Sequence, residues 1–330
     1  MLSTSLQEWR IGTGDEDEGI VMSVHVRPNV IDELPQTTLG EGPLWDSGRL
    51  HYVDIVTGKI HRHDFATQAH DVISTGEPVG FAVLDREGKV IAGIGNGGIY
   101  RLEFGSTHKE LLAAPARDNP DNIANDGKCD RAGRLWAGTK NKSEKPPSTG
   151  SLARFDSSPQ LTEVLYPVNV SNGIAWAPDN TKMYYNDSTD KIWRFDYDLN
   201  TGTATNRQVF VDLPFAGLPN DGACPDGMTI DATGLLYVAM WGGSRIDVYR
   251  DDYGRGIRVE TIEVPTVLET SSVAFGGDDL RTLYITTAAM NLTPEQQNRY
   301  PDSGRIFAAE RSVPGLPEAR FDNQRLAPAE

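Results

Sequence analysis

Short apolar segments separated by polar turns recur along the whole chain. In six stretches, a polar residue or glycine leads into an apolar segment, a polar turn follows, and a second apolar segment ends the stretch. These stretches are GEGPLWDSGRLHYVD (40–54), GFAVLDREGKVIAG (80–93), NDGKCDRAGRLWAG (125–138), SNGIAWAPDNTKMYYND (171–187), PDGMTIDATGLLYVA (225–239) and SSVAFGGDDLRTLYIT (271–286). They begin at intervals of roughly 40 to 55 residues, a spacing typical of repeat proteins that include β-propellers.

The apolar segments indicate strands rather than helices. Residues 134–139 (RLWAGT) and 235–240 (LLYVAM) are short and contain the aromatic and β-branched residues that strands favour. Glycine in the intervening turns tolerates the positive φ that tight turns require. No long segment shows the period of an amphipathic helix. The pattern therefore predicts an all-β fold.

Further apolar segments complete six sheets of three or four strands. Third strands are predicted at residues 59–64, 98–103, 151–156, 191–196, 245–250 and 305–310. Outer strands are predicted at residues 72–76, 110–115, 161–166, 206–213 and 259–264. Residues 21–28 (VMSVHVRP) are predicted to pair with the last blade, because closing the ring removes an exposed sheet edge. The predicted architecture is a six-bladed β-propeller in which residues 21–330 form one domain after a polar N-terminal extension, residues 1–20.

The residue that opens each innermost strand is predicted to lie at one mouth of the central channel. Ring closure then brings together Glu41, Asn172 and Asp226, which are far apart in the sequence. Asn125–Asp126 has the equivalent position in the third blade. Convergent carboxylate and amide oxygens suit a hard divalent cation and leave sites open for water and substrate. The alternative is that Asn and Asp before Gly are ordinary turn residues whose oxygens accept backbone hydrogen bonds.

The composition argues against several classes of function. The formal net charge is −16 over 330 residues, and no basic cluster offers a nucleic-acid surface. No apolar run approaches the ~18–20 residues of a membrane helix, and the N-terminus has no apolar signal segment. Cys129 and Cys224 are expected to be free thiols, and His61 and His63 to be surface residues. We expect a cytoplasmic monomer whose partner is a small molecule.

Four motifs resemble those of one known family, and they occur in the family's order. They are G-E-G-P-L-W-D (40–46), N-D-G-K-C-D-R-A-G-R-L-W-A-G-T (125–139), S-N-G-I-A-W (171–176) and P-D-G-M-T-I-D-A-T-G-L-L-Y-V-A (225–239). The set resembles the SMP-30/gluconolactonase/LRE family, also called the regucalcin family, over about residues 35–310. The resemblance implies a six-bladed propeller with one divalent metal ion in its axial channel. It also implies hydrolysis of sugar lactones such as gluconolactone.

The resemblance also implies roles for individual residues. Glu41, Asn172 and Asp226 match the metal ligands of the family, and Asp226 also matches its general base. Asn125 matches a residue that contacts substrate and water, and Asp126 follows it. Ca²⁺ is the expected ion, with Mg²⁺, Mn²⁺ or Zn²⁺ as alternatives. Two alternatives stay open at this point: Asp226 acts as the base on an attacking water, or a hydroxide bound to the metal is the nucleophile.

Two positions depart from the family pattern. Arg often stands two residues before the Asn of N-D-G-K, where this chain has Ile123. Losing a guanidinium removes up to five hydrogen-bond donors, so a less polar lactone is an alternative to a sugar lactone. Met commonly follows A-G-T, where this chain has Lys140 at the start of a loop (140–150) predicted to cover the channel mouth. Ile123 and Lys140 therefore join Asn125 and Asp126 as candidate substrate-binding residues.

Two other functions share these features. A phosphotriesterase of the diisopropyl-fluorophosphatase type has the same propeller architecture and axial cation. A non-catalytic calcium-binding propeller needs the metal site alone. Panels of lactones and organophosphates, assayed with exchanged metals, distinguish the three functions.

Overall fold

Six four-stranded antiparallel sheets follow one another around a ring in the computed structural model, which confirms the predicted β-propeller. The structure describes residues 28–143, 147–156, 161–213 and 222–326. The predicted polar extension, residues 1–20, and part of the predicted mouth loop, residues 144–146, lie outside the described chain.

Blades one to three run from residue 40 to residue 168. Blade one contains β2 (Gly40–Asp46), β3 (Arg49–Asp54), β4 (Lys59–Asp64) and β5 (His70–Ser74). Blade two contains β6 (Val79–Leu84), β7 (Val90–Ile94), β8 (Gly98–Leu102) and β9 (Glu110–Ala113). Blade three contains β10 (Asn122–Cys129), β11 (Leu135–Asn141), β12 (Gly150–Phe155) and β13 (Thr162–Val168).

Blades four to six complete the ring. Blade four contains β14 (Ile174–Trp176), β15 (Lys182–Asn186), β16 (Lys191–Asp198) and β17 (Thr203–Asp212). Blade five contains β18 (Cys224–Ile230), β19 (Leu236–Trp241), β20 (Arg245–Asp252) and β21 (Arg255–Glu263). Blade six contains β22 (Glu269–Gly276), β23 (Thr282–Ala288), β24 (Phe307–Glu310) and β1 (Asn29–Val30). The first strands of neighbouring blades contact one another around the axis, for example β2 with β22 and β6 with β10.

The ring closes through a strand from the N-terminal side of the chain. Asn29 pairs with Ala308 and Val30 pairs with Phe307, so β1 becomes the outer strand of blade six. The closing segment predicted at residues 21–28 falls almost entirely outside the described chain, and the observed pairing begins directly after it. A short strand is sufficient here because it covers an edge that would otherwise expose unpaired backbone groups.

Three turns between first and second strands are built around one aspartate each. Its Oδ1 accepts backbone hydrogen bonds from the residues two and four positions later, at 2.8–3.0 Å. The glycine three positions later has φ between 79° and 92°, a conformation that other residues rarely adopt. The aspartates are Asp85, Asp130 and Asp231. The D-R-E-G, D-R-A-G and D-A-T-G sequences therefore specify these turns locally.

Two elements of the structure were not anticipated from the sequence pattern. A six-residue helix, α1 (Pro294–Arg299), follows β23 and is capped by Thr293, whose side chain accepts from the Gln296 amide. After β24, the chain crosses the propeller face: Gly315 donates to Leu280 O at 2.8 Å, and Phe321 donates to Leu84 O at 2.9 Å. A 3-10 helix, Asn323–Leu326, ends this crossing. No helix in the described chain is long and apolar enough to span a membrane.

The histidines of blade one are buried, which corrects the expectation that His61 and His63 lie on the surface. Their side chains are 6% and 2% exposed. Tyr52 is paired with His61 across β3 and β4, and their rings stack with centroids 4.7 Å apart. His61 Nδ1 also lies 3.0 Å from His70 Nε2 on β5. These contacts bury the histidines within the packing of blade one. Histidine is more often exposed, so its residue type alone did not predict this burial.

Candidate functional site

One cavity of about 260 Å³ collects four of the predicted side chains. Glu41 comes from β2, Asn125 from β10, Asn172 from the segment entering β14, and Asp226 from β18. Each of these residues is only 4–6% exposed. The structure therefore brings together polar residues from four blades, while their roles remain predictions.

Irregular strand pairing accompanies three of these positions. The register between β2 and β3 shifts between Glu41 and Leu44, and the equivalent shift in blade five falls between Pro225 and Met228. Blade three shows the same feature between Ala124 and Gly127. A β-bulge bends its strand and changes the direction of its side chains. The bulges explain how residues at the ends of regular inner strands come to face one cavity.

The glycines that follow Asp126, Asn172 and Asp226 each pack against a neighbouring blade. A Cβ atom on Gly173 would lie 2.5 Å from the carbonyl oxygen of Asp226, a distance that real side chains do not adopt. Gly127 lies in the same way against the ring of Phe81, and Gly227 lies against Ser272. At these three positions the pair of a polar residue and glycine has a steric origin, because the inner strands approach too closely for any larger residue. Gly42, which follows Glu41, has space around it but a φ of 51°, a conformation that glycine adopts most readily.

Hydrogen bonds fix the two asparagines relative to each other. Asn125 Nδ2 donates to Asn172 Oδ1 and to Ser171 O, both at 2.9 Å. Asn172 Nδ2 donates to Ser188 Oγ at 2.6 Å. Behind the cavity, Asn186 Nδ2 donates to the backbone oxygen of Asp226 at 2.7 Å. Since a carbonyl oxygen has two lone pairs, Asn172 Oδ1 retains an acceptor position toward the cavity.

The electrostatics of the cavity disfavour negative charge on Glu41. Burial, and secondly the charge of Asp126, raise the pKa of Glu41 to about 8, although the Gly42 N–H and the Lys140 ammonium oppose the shift. Burial also raises the pKa of Asp126. A cation bound beside Glu41 would reverse this balance, since a nearby positive charge favours the ionised carboxylate.

The donor set at the cavity fits a hard divalent cation. Within the described residues, no group of three His, Cys, Asp or Glu side chains is arranged to hold a metal. An ion here would instead combine the carboxylates of Glu41 and Asp226 with the amide oxygen of Asn172. Such an all-oxygen set suits Ca²⁺, Mg²⁺ or Mn²⁺ better than Zn²⁺, which favours nitrogen and sulfur ligands.

Of the remaining predicted residues Ile123, Asp126 and Lys140, only Lys140 lines the cavity. Lys140 lines the cavity with the four polar residues. Ile123 is paired with Lys140 across β10 and β11 but is not among the described residues that line the cavity. Asp126 borders a separate crevice together with Lys128, and its Oδ1 accepts from the Gly127 N–H at 2.7 Å. Asn125 and Asp126 are adjacent in the sequence, yet only Asn125 lines this cavity.

Other residues also line the cavity, and of these the sequence suggested only Trp241. Glu269 on β22 is an additional carboxylate in the wall. Apolar side chains contribute much of the remaining surface: Leu39, Ile55, Val170, Trp241, Met290 and Leu292. Two of these precede α1, whose Gln296 also lines the cavity. The helix and its approach have no equivalent in the other described blades, so the repeat pattern gave no signal for them.

Comparison with known proteins confirms the resemblance seen in the four motifs. A sequence profile of the SMP-30/Gluconolactonase/LRE-like region matches residues 39–289. Regucalcin from Xenopus laevis is 34% identical over 276 residues, which cover 82% of this chain and 89% of that protein. Pentonolactonase XacC from Haloferax volcanii is 32% identical over 295 residues, which cover 86% of this chain and 94% of that protein.

A solved structure shows the same architecture. The structure of regucalcin from Agrobacterium tumefaciens, a calcium-binding protein, superimposes with a TM-score of 0.82 at 26% identity. The match covers 92% of this chain and 99% of that protein. The similarity therefore extends over the whole propeller rather than over single motifs.

Proposed function

Since the chain belongs to the SMP-30/Gluconolactonase/LRE-like family, we propose that it is a divalent-metal-dependent lactonase that opens the ring of a small lactone. The observation that carries the proposal is the single cavity lined by Glu41, Asn172, Asp226 and Asn125. Relatives that are named as a pentonolactonase and as a regucalcin support the same class of activity.

Each of the four polar residues has a distinct task in this proposal. Glu41, Asn172 and Asp226 hold the cation, for which Ca²⁺ is the first candidate. A bound divalent cation would supply stabilisation of the negative charge that develops on the carbonyl oxygen of the lactone. Asp226 accepts a proton from the attacking water, the role that its match to the general base of the family implies. Asn125 orients water or substrate from a position fixed by its two hydrogen bonds.

The lining of the cavity bears on the substrate. Its six apolar side chains support a lactone that is less polar than a fully hydroxylated sugar lactone. A site with many groups for hydrogen bonds to hydroxyls would bind a less polar lactone weakly, because those groups would stay unpaired. An apolar wall binds the same lactone favourably, because it buries the apolar surface of the ligand. A sugar lactone such as gluconolactone is the alternative substrate.

A screen with a pH indicator tests the proposed function. The protein is stripped with a chelator, reconstituted separately with Ca²⁺, Mg²⁺, Mn²⁺ or Zn²⁺, and assayed on aldonolactones, alkyl lactones and organophosphate triesters. We expect hydrolysis of at least one lactone that depends on the added metal. Hydrolysis of the triesters alone would favour a phosphotriesterase. Metal binding without any hydrolysis would favour a calcium-binding propeller.

A further inference from the structure

Glu269 places an additional carboxylate in the wall of the cavity, outside the set of residues proposed to hold the cation. It begins β22 of blade six and lines the cavity together with Trp241 and Cys224 of blade five. One of its oxygens, Oε2, is buried and has no hydrogen-bond partner among the described residues. Within the part of the chain that the structure describes, the Gly242 N–H is the one donor that acts on this carboxylate. Since a carboxylate offers about four acceptor positions, Glu269 can accept a further hydrogen bond from a ligand.

The position of Glu269 along the channel separates it from the reacting groups. Gly227, which follows Asp226, packs against Ser272, so Ser272 marks the level of the polar residues in blade six. Glu269 precedes Ser272 by three residues, and the bulge between Thr270 and Ser272 shortens this separation to two steps of the partner strand, about 7 Å. Its neighbour Trp241 is paired with Cys224, which also precedes Asp226 in the chain. Glu269 is therefore closer to the mouth than Asp226 is.

The charges around the cavity restrict what Glu269 can bind. Burial raises the pKa of Glu269, and the backbone N–H of Gly242 opposes this shift. Lys140 is the one cationic side chain among the described residues that line the cavity, where Glu41, Asp226 and Glu269 are the acidic ones. With a divalent cation bound, the formal charges of these groups balance, so a substrate carrying its own carboxylate would add an uncompensated negative charge.

We propose that Glu269 is a specificity-determining residue that accepts a hydrogen bond from a hydroxyl group on the substituent of a neutral lactone. This inference rests on the proposed lactonase function and defines its substrate class more closely. The lactone ring lies at the level of Asp226 and Asn125, and the substituent extends toward the mouth. There, the hydroxyl group meets Glu269, and the carbon skeleton contacts the apolar wall. Lactones of sugar diacids, which carry a carboxylate, are excluded from the preferred substrates.

Two lactones that differ in one hydroxyl group provide the test. γ-Hydroxymethyl-γ-butyrolactone and γ-valerolactone have the same ring and the same branching, and only the first can donate a hydrogen bond to Glu269. Kinetic constants are measured for the metal-loaded wild-type protein and for Glu269→Gln and Glu269→Leu. Glu263→Gln, at the exposed end of β21, serves as the matched control. Thermal melting verifies that all four proteins are folded.

We expect the two variants to lose specificity in a graded order. For the hydroxylated lactone, kcat/KM falls about tenfold or more in Glu269→Leu and less in Glu269→Gln, which keeps one acceptor oxygen. The loss is expected mainly in KM, because the hydrogen bond is present in ground and transition states alike. For γ-valerolactone, both variants stay within about twofold of wild type. Equal losses for both lactones, or no loss for either, would overturn the proposal.

Measuring lactone binding directly tests the role of Glu269 independently of whether the protein hydrolyses lactones. Trp241 lines the same cavity, so its fluorescence reports occupancy by either lactone without turnover. A wild-type protein that hydrolyses neither these two lactones nor any lactone of the pH-indicator screen contradicts the lactonase proposal. If it nevertheless binds the hydroxylated lactone more tightly, and Glu269→Leu abolishes that preference, the role of Glu269 is supported. If it shows no preference between the two lactones, the role of Glu269 is rejected.

Discussion

Asn125 donates a hydrogen bond from Nδ2 to Asn172 Oδ1 at 2.9 Å, and this contact joins the third blade to the fourth inside the cavity. The same amide group donates to Ser171 O at 2.9 Å. One side chain thus holds a proposed metal ligand and a backbone carbonyl in place. Asn125 is therefore important for both the stability of the ring and the geometry of the site.

Replacing Asn125 with leucine is expected to reduce both stability and turnover. The substitution leaves buried acceptors without a donor, at a cost of about 1–3 kcal/mol in the free energy of unfolding. Urea denaturation measures this loss, and lactone hydrolysis measures the effect on kcat. Asn200→Leu, at an exposed turn, is the control. A variant with wild-type stability and wild-type turnover would show that the contact is not needed.

Replacing Asp226 with asparagine is expected to remove most hydrolysis while the protein stays folded. A general base typically contributes about 10²–10⁴-fold to the rate, and an amide cannot accept the proton from water. Initial rates at saturating substrate give the loss, and circular dichroism confirms the fold. Asp190→Asn, at an exposed position, should retain full activity. Hydrolysis near the wild-type rate in Asp226→Asn rejects its role as the base.

Metal binding is expected to stabilise the folded protein. An ion present at about 100 times its dissociation constant adds about 2.7 kcal/mol, provided that it binds the folded state alone. We expect a chelator to lower the melting temperature and added Ca²⁺ to restore it. In Glu41→Gln, the increase on adding Ca²⁺ should be much smaller, because one charged ligand is missing. Identical melting curves with and without metal for the wild-type protein would contradict the site.

A methyl group at residue 173 is expected to displace the backbone of Asp226 and so disturb the site. In Gly173→Ala, the new Cβ would lie 2.5 Å from Asp226 O, and a backbone oxygen cannot move aside as a flexible side chain can. Overpacking of this kind costs about 1–3 kcal/mol, and the displaced Asp226 should lower kcat. Gly105→Ala, with φ of 83° and open space around it, measures the effect of backbone strain alone. Full activity and unchanged stability in Gly173→Ala would refute the steric explanation.

Acid is expected to destabilise the protein through the histidines of blade one. Burial lowers the pKa of His51 to about 4, and it also lowers the pKa of His61 to about 4. The unfolded chain takes up these protons near pH 6.5, so stability is full above that pH and falls as the pH decreases toward 4. Each histidine accounts for a loss on the order of 3 kcal/mol across this range.

The substitution His51→Phe tests this acid sensitivity. Neither ring nitrogen of His51 has a hydrogen-bond partner among the described residues, so phenylalanine removes the proton uptake without removing an observed hydrogen bond. Urea unfolding between pH 4 and pH 8 should show a shallower loss of stability in the variant than in the wild-type protein. His108→Phe, at an exposed position, should leave the pH dependence unchanged. Parallel curves for His51→Phe and wild type would exclude the mechanism.

Much of the fold was determined by local sequence. Alternating apolar segments specify strands, and turn sequences such as D-R-A-G position their own backbone through one carboxylate and one glycine. These interactions involve residues within four positions of each other, so they are visible in the sequence. The repeat period then predicted six blades, and the recurring pairs such as Asn172–Gly173 and Asp226–Gly227 predicted which polar side chains converge.

Other features depended on contacts between distant segments. Asp126 borders another crevice although it is adjacent to Asn125, because the bulge at residues 124–127 turns these neighbours in different directions. The burial of His61 and His63 depends on the packing of blade one. Glu269 has no distinctive motif, and it joins the cavity only because blade six closes beside blade five. The sequence by itself determined the repeating unit and its polar residues, through local turn and strand chemistry. Only the tertiary structure decided the shape and lining of the cavity, because side-chain direction and burial depend on which strands come together when the ring closes.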